Sequence, residues 1–348
     1  MGLPFKEIVR ARELPWRDLA GRSVAVDAYN ALYQFLATIR QADGRPFSDP
    51  EGKPTSHLMG AFYRTTSLLA EGVRPAWVFD GRPPARKAGT IRHRIEAKER
   101  AQEEWNAALA AGDLETARRK AAQTSRLTPP MVDETIELLG ALGVPTIRAP
   151  SEGEAQAARL AAEGIVWATA SEDYDTLLFG APRLVRGLAA RRSRSGEEAA
   201  ALIEREELLR DLGISGEELI LVGLLVGTDF NDGVRGYGPK KALKLVQEHR
   251  GWSATLAHAG LDPTEAEEVA EIFRHPQTVA GAPLDFGAPD PERVTSILAD
   301  RHGFSRPRVE AALDRAIRAG GSSPRRAPPA AARGHQTMLD GFRGAASQ

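Results

Sequence analysis

The chain has no cysteine among its 348 residues. That removes disulfides, thiolate zinc sites, iron–sulfur clusters and cysteine nucleophiles together, and it is permissive for a reducing compartment. No apolar run reaches the roughly 18 residues that a membrane helix needs. The N-terminal stretch is charged from Lys6 onward and lacks a signal-peptide apolar core. Gly2 invites a myristoylation reading, but Lys6 occupies the place where that motif requires Ser or Thr. The seven histidines stand far apart, and none forms the i, i+4 pair of a helical zinc site. Any metal is therefore expected on oxygen ligands. A net charge of −1 excludes a uniformly basic nucleic-acid coat while leaving room for local patches. No repeat recurs at a period of 20–50 residues.

What is present is an alternation of short apolar runs with helical patterns. Strands are expected at Ser23–Val26, Pro75–Phe79, Pro145–Ile147, Ile165–Ala170 and Leu184–Arg186. Helices are expected at Ala28–Arg40, Thr55–Glu71, Met131–Leu142 and Glu152–Glu163. In the first of these, Ala31, Leu32, Phe35, Leu36 and Ile39 share a face. This order implies an α/β fold, a central mostly parallel sheet flanked by helices on both faces.

Residues 82–126 interrupt the rhythm. They carry eleven Lys/Arg against six Asp/Glu in a chain that is nearly neutral, with few large apolar residues. A segment that cannot build its own core reads as an insertion, arm or lid, or as a solvated helical hairpin. Farther on, Leu219–Val246 reads as helical around a glycine-rich hinge. In Gly233-Val-Arg-Gly236-Tyr-Gly238-Pro-Lys240-Lys241-Ala, glycines make a tight turn and Pro239 begins a helix with two lysines in its first turn. Backbone N–H groups at such a start can hold a DNA phosphate. The run fails the phosphate-loop pattern, because Pro239 stands where the lysine should be, and it fits a helix–hairpin–helix instead. After Ala319 the composition becomes that of a linker, followed by the apolar-aromatic word Gln336–Phe342.

In an open parallel sheet, ligands bind beyond the carboxyl ends of the strands. Asp27 follows the first strand and Asp80 the second; Glu152 and Glu154 follow the third, Asp173 and Asp175 the fourth. Asp229 follows the apolar helix 219–226. Each has an ordinary alternative: Asp27 and Asp80 as caps or turn residues, Asp173 and Asp175 as loop acids, Glu154 as the far end of a capping box begun by Ser151. Seven neighbouring carboxylates, however, repel strongly and coexist only with cations between them. Oxygen ligands alone suit Mg²⁺ or Mn²⁺. The number of acids fits two metals about 4 Å apart, the arrangement that serves in-line attack on phosphodiesters. Lys87 and Arg94, seven residues apart at the base of the basic segment, share a helical face and could reach a scissile phosphate.

These words in this order resemble the structure-specific 5′ flap endonucleases of the XPG-like 5′ nuclease family: VDAYNALYQFLATIRQ, TSHLMGAFYRT, VFDGRPP, APSEGEAQAA, SEDYDTLLFGAPRLVR and LLVGTDFNDGVRGYGPKKA. The wording is nearest the archaeal members and covers about residues 1–318. The resemblance implies a PIN-like nuclease core. Within it, 1–98 would be the N-terminal half, 82–126 an arch that threads a single-stranded flap, and 116–258 the internal half, with the helix–hairpin–helix near 227–250. A C-terminal helical region at 259–320, a linker at 321–335 and a sliding-clamp motif at 336–343 would follow. It implies a magnesium-dependent endonuclease and 5′-3′ exonuclease of replication and repair, with Asp27, Asp80, Glu152, Glu154, Asp173, Asp175 and Asp229 on the metals. Lys87 and Arg94 would be catalytic. Tyr33 would stack near the scissile nucleotide, and Gly2, Arg40, Arg64 and Gly227 would lie at the DNA, with Gly236, Gly238, Lys240 and Lys241 in the duplex-gripping turn. Branched DNA is the implied substrate and a sliding clamp (proliferating cell nuclear antigen) the implied partner. That partner would dock on Gln336, Leu339 and Phe342, weakened because Arg343 replaces the second aromatic. A monomer with no membrane association is expected, cytoplasmic in an archaeon and nuclear in a eukaryote. Related nucleases that act on bubbles, four-way junctions or DNA ends share most of the acids. A non-catalytic clamp-bound scaffold would have no use for seven acids, and a phosphatase or ribonuclease of similar topology would have none for the Gly-Tyr-Gly-Pro-Lys-Lys turn.

Overall fold

The computed structural model describes residues 3–188, 199–281 and 283–322. Among these, seven strands form one mixed sheet: β1 (Arg12–Pro15), β2 (Ser23–Asp27), β3 (Arg74–Phe79), β4 (Thr146–Arg148), β5 (Ala168–Ala170), β6 (Arg183–Arg186) and β7 (Ala199–Glu204). Their spatial order is β1-β7-β6-β5-β2-β3-β4. Neighbours from β6 through β4 are parallel, whereas β7 is antiparallel to both β6 and β1. The chain runs outward from β2 to β3 and β4, then crosses back to place β5 on the other side of β2. The strand order reverses beside β2, which opens the crevice where ligands of open parallel sheets bind.

Strands β2 and β3 bury almost every residue, as strands covered on both faces must. Val24 and Val26 face a core built with Leu32, Phe35, Phe62 and Leu139, while Ala25 and Val78 face Ala157 and Leu160 on the opposite side. The helices are α1 (Ala28–Thr38), α2 (Ser56–Ala70), α3 (Ala88–Ala110), α4 (Leu114–Ala121), α5 (Pro129–Ala141), α6 (Gly153–Ala162) and α7 (Asp175–Leu178). There follow α8 (Arg205–Leu212), α9 (Gly216–Val226), α10 (Pro239–His249), α11 (Trp252–Ala259), α12 (Pro263–Arg274), α13 (Pro291–Thr295) and α14 (Arg306–Ser322). A separate core gathers Leu177, Ile203, Leu221, Val246, Val269 and Phe273 around α9. No helix of the described residues is long and apolar enough to cross a membrane.

Two strands were not legible in the sequence. β1 exposes Arg12 and Glu13 and ends in proline, and β7 is alanine-rich, so neither carries the β-branched alternation of a strand. The latter begins directly after residues 189–198, which lie outside the described residues. The basic segment forms α3 and α4. These pack through small residues, Ala101, Ala108, Ala117 and Ala121, which explains a helical pair without large apolar side chains. Helix α9 opens with a complete capping box between Ser215 and Glu218. Helix α10 opens with Gly238 as N-cap and Pro239 at its first position.

Candidate active site

The carboxylates lie at the carboxyl edge of the sheet. Asp27, the last residue of β2, caps α1: its Oδ1 accepts the Asn30 N–H at 3.0 Å. Its Oδ2 accepts the Ser171 hydroxyl at 3.1 Å, so the cap and the cluster use different oxygens of one carboxylate. Asp80 follows β3 and accepts the Gly153 N–H at 2.8 Å. A Cβ on Gly153 would stand 2.6 Å from that same oxygen, so glycine is what lets α6 start this close. Asp175 opens α7 and accepts the Leu3 N–H at 3.2 Å, drawing the N-terminal segment against the acids.

The capping box anticipated from Ser151 to Glu154 does not form. Glu152 is the N-cap residue of α6, and it makes no side-chain cap bond. Glu154 turns instead to the Ser171 hydroxyl, 3.2 Å away. Asp229 stands past the end of α9, where Gly227 adopts a φ of +101° and a Cβ would meet the Asp232 carbonyl at 2.9 Å. Asn231 then fixes the turn: its Oδ1 accepts from the Thr228 hydroxyl at 2.9 Å, and its amide donates to the Leu224 carbonyl at 2.8 Å.

Burial and mutual repulsion act on these acids together. Burial, then the charge of Asp80, pushes Asp27 up to about 7. Burial, then Glu152, pushes Asp80 up to about 6. Glu154 and Asp175 are raised well above the carboxylate range, first by burial and then by Asp173. Asp173 is raised by burial and by Asp229. These interactions join all seven acids into one electrostatic unit that favours cations.

Two cations reach it from the basic segment. Lys87 pairs with Glu152 and lies 3.3 Å from Asp229 Oδ2; Arg94 Nη2 lies 2.6 Å from Asp229 Oδ1. Burial pulls the Lys87 ammonium down, but Glu152 and Asp229 outweigh it and the net direction is upward. The donor set, hard oxygen without histidine or cysteine, fits magnesium. Among the described residues no three donors already close on one point as ligands of a metal. The acids are spaced, with Lys87 bridging two of them.

The other expected residues fall around this centre in different ways. Tyr33, on α1, is half-buried with the Lys98 ammonium 4.4 Å from its ring centre. Arg40 ties its own loop: it donates to the carbonyls of Leu36 and Gly44 and to the Ser125 hydroxyl at 2.7–2.9 Å. Arg64 lies over the Trp16 ring at 4.9 Å. Gly236 and Gly238, on the turn before α10, and Lys240 and Lys241, in its first helical turn, are all exposed, with open space where a Cβ on either glycine would be. Gly2 and the tail residues Gln336, Leu339, Phe342 and Arg343 lie outside the described residues.

Sequence reasoning missed three polar residues here. Ser171 touches Asp27 and Glu154, and its oxygen accepts the Asp173 N–H at 3.1 Å. One hydroxyl proton serves only one carboxylate at a time. Asn30 Oδ1 accepts the Glu172 N–H at 3.3 Å, and the Thr90 hydroxyl donates to the Asp229 carbonyl at 2.9 Å. Small neutral residues carry no spacing signal, although Ser171 does open the SEDYD run that holds two of the acids.

Comparison with known proteins gives a consistent result. Residues 4–101 match the XPG N-terminal domain and residues 143–229 the XPG I-region. The chain is 46% identical over 329 residues to flap endonuclease 1 of Aeropyrum pernix, covering 90% of this chain and 94% of that one. It is 43% identical over 334 residues to flap endonuclease 1 of Pyrococcus abyssi, covering 93% and 97%. The structure of flap endonuclease-1 from Methanococcus jannaschii superposes with a TM-score of 0.73 at 38% identity, over 92% of this chain and 99% of that one. The catalytic core of Rad2 in complex with DNA substrate shares the fold at a TM-score of 0.72 and 24% identity, over 91% and 100%.

Proposed function

The chain belongs to the flap endonuclease 1 family of XPG nucleases, and from that premise we propose how its residues divide the work. It is a flap endonuclease, a metal-dependent phosphodiester hydrolase of DNA replication and repair. The family uses magnesium, which when bound supplies Lewis-acid activation of water and offsets charge on the phosphate. The seven carboxylates, Asp27, Asp80, Glu152, Glu154, Asp173, Asp175 and Asp229, would hold two such ions, and they would accept manganese equally as hard oxygen donors.

Lys87 and Arg94 hold their charges at the acid rim, where a scissile phosphate competes with Glu152 and Asp229 for them. Positive groups fixed beforehand stabilise charge that develops in the transition state without reorganising. Tyr33 offers a ring to the base beside the cut. The turn at Gly236–Lys241 offers backbone N–H groups and two lysines to the phosphates of duplex DNA, and Gly227 shapes the approach. Arg40 and Arg64 belong to the same DNA-facing set, as does Gly2. The basic pair α3–α4 is the arch that passes the single-stranded 5′ flap. The same site trims 5′ ends at nicks and gaps. Gln336, Leu339 and Phe342 serve a sliding clamp, with affinity reduced by Arg343, and the chain acts as a monomer.

One observation carries this reading: seven acids from separate stretches of chain form one cluster, met from the basic segment by Lys87 and Arg94. A labelled 5′ flap tests it. With magnesium, the wild type cuts at the junction of single and double strand, and Asp175→Asn binds the flap without cutting. Full activity in Asp175→Asn would overturn the assignment.

A further inference from the structure

Asp173 lies in a loop of only residues 171–174, between the short strand β5 and the single turn of α7, and Asp175 is the first residue of that turn. Two such acids held by so little chain need an outside anchor. Arg186 supplies one. It ends β6, one residue beyond Val185, which pairs with Ala170 of β5. Its Nη1 donates to the Tyr174 hydroxyl, and its guanidinium carbon lies 4.0 Å from the centre of the Tyr174 ring. Its Nη2 lies 3.5 Å from Glu172 Oε2. The other Glu172 oxygen accepts the Gly187 N–H at 2.6 Å, and the Glu172 N–H donates to Asn30 Oδ1 at 3.3 Å. The guanidinium thus grips the residues on either side of Asp173. With 172 and 174 committed to Arg186, residues 173 and 175 are left to the acid cluster.

We propose that Arg186 is a positioning residue of the nuclease: by clamping Glu172 and Tyr174 from the neighbouring strand, it fixes Asp173 and Asp175 in place to receive the metal. The proposal rests on reading those two acids as metal-holding. A planar fork that bonds a hydroxyl and a carboxylate while stacking on a ring cannot be replaced by an ammonium, so lysine restores only part of the grip. Groups that orient metal ligands from behind typically cost about 10–100-fold in metal affinity or activity when removed.

The test compares the wild type, Arg186→Met, Arg186→Lys, Tyr174→Phe, Glu172→Gln and Asp175→Asn in the full chain. Three readouts are taken: manganese affinity by calorimetry, single-turnover flap cleavage, and flap affinity. Arg186→Met is expected to lose about 10–100-fold in manganese affinity and in cleavage rate, with flap affinity and melting temperature nearly unchanged. Arg186→Lys should fall between it and the wild type. Wild-type manganese affinity in Arg186→Met overturns the proposal, as does a loss confined to flap affinity, which would make Arg186 a DNA contact. Should Arg186→Met fail to fold, Tyr174→Phe and Glu172→Gln decide: weakened manganese binding supports the clamp, and wild-type binding in both overturns it. Asp175→Asn separates the two levels. If it binds manganese and cuts like the wild type, the metal reading fails and the clamp with it. If it loses both while the Arg186 variants lose neither, only the clamp fails.

Discussion

Lys87 is half-buried among carboxylates, and burial and pairing pull its proton in opposite directions. Its ammonium is positioned before any substrate arrives, bridging Glu152 and Asp229. Lys87→Ala should therefore lower single-turnover cleavage by about 10²–10³-fold, the usual loss when a fixed transition-state donor is removed, while flap affinity barely changes. A loss seen only in affinity would make Lys87 a tether. Glu154 shows why individual residues resist reading from sequence. The spacing Ser151-x-x-Glu154 satisfies a capping box, yet Glu154 bonds to Ser171 on another loop. Local spacing cannot weigh a local partner against one brought in by the fold. Asp27 resolves the other way, since cap and cluster each take an oxygen and both readings hold.

Among the elements, β2 and β3 were legible because strands buried on both faces must be continuously apolar, and Val24–Val26 and Ala76–Phe79 are. By contrast β1 and β7 were not, because an exposed edge strand and an alanine-rich one are specified by their pairing partners rather than by their own residues. Most of the candidate acids were legible for a related reason: each follows an element whose end the sequence marks. The polar residues that orient them, Ser171, Asn30, Asn231 and Arg186, were not, because their partners are remote in sequence or indistinct in type. The start of α10 is the element most open to a direct test. Lys240 and Lys241 are exposed, Lys240 within 3.6 Å of Glu7 and Lys241 within 4.3 Å of the Tyr237 ring centre. If they meet phosphates, the double variant Lys240→Ala/Lys241→Ala should weaken binding of duplex-bearing flaps regardless of sequence. It should also flatten the salt dependence, by about 0.9 in log–log slope for each phosphate no longer neutralised. An unchanged slope would place the duplex grip elsewhere.

At the scale of the whole molecule, acids at one edge of the sheet are met by a basic arm, and a second buried polar group belongs to neither. His57, wholly buried on α2, is pushed down to about 4 by burial and then by His302. The Glu134 carboxylate, 3.6 Å from its Nε2, acts in the opposite direction but lies beyond hydrogen-bond distance and is partly exposed, so burial prevails. His302 in turn bonds Asp49 through Nδ1 at 3.1 Å. A base whose folded pKa is depressed contributes fully above its unfolded pKa of 6.5, and that contribution is lost as pH falls toward 4. Between pH 7 and 5 the wild type should lose about 2 kcal/mol relative to His57→Leu, read from urea unfolding in magnesium. Parallel pH profiles of the two proteins would contradict this. The central claim is that the acid cluster exists to take divalent cations, and calorimetric titration of manganese into the DNA-free chain tests it most directly. Saturable binding of two ions is predicted, with at least one lost in Asp175→Asn. An absence of heat in the wild type, or the same isotherm in both proteins, would contradict it.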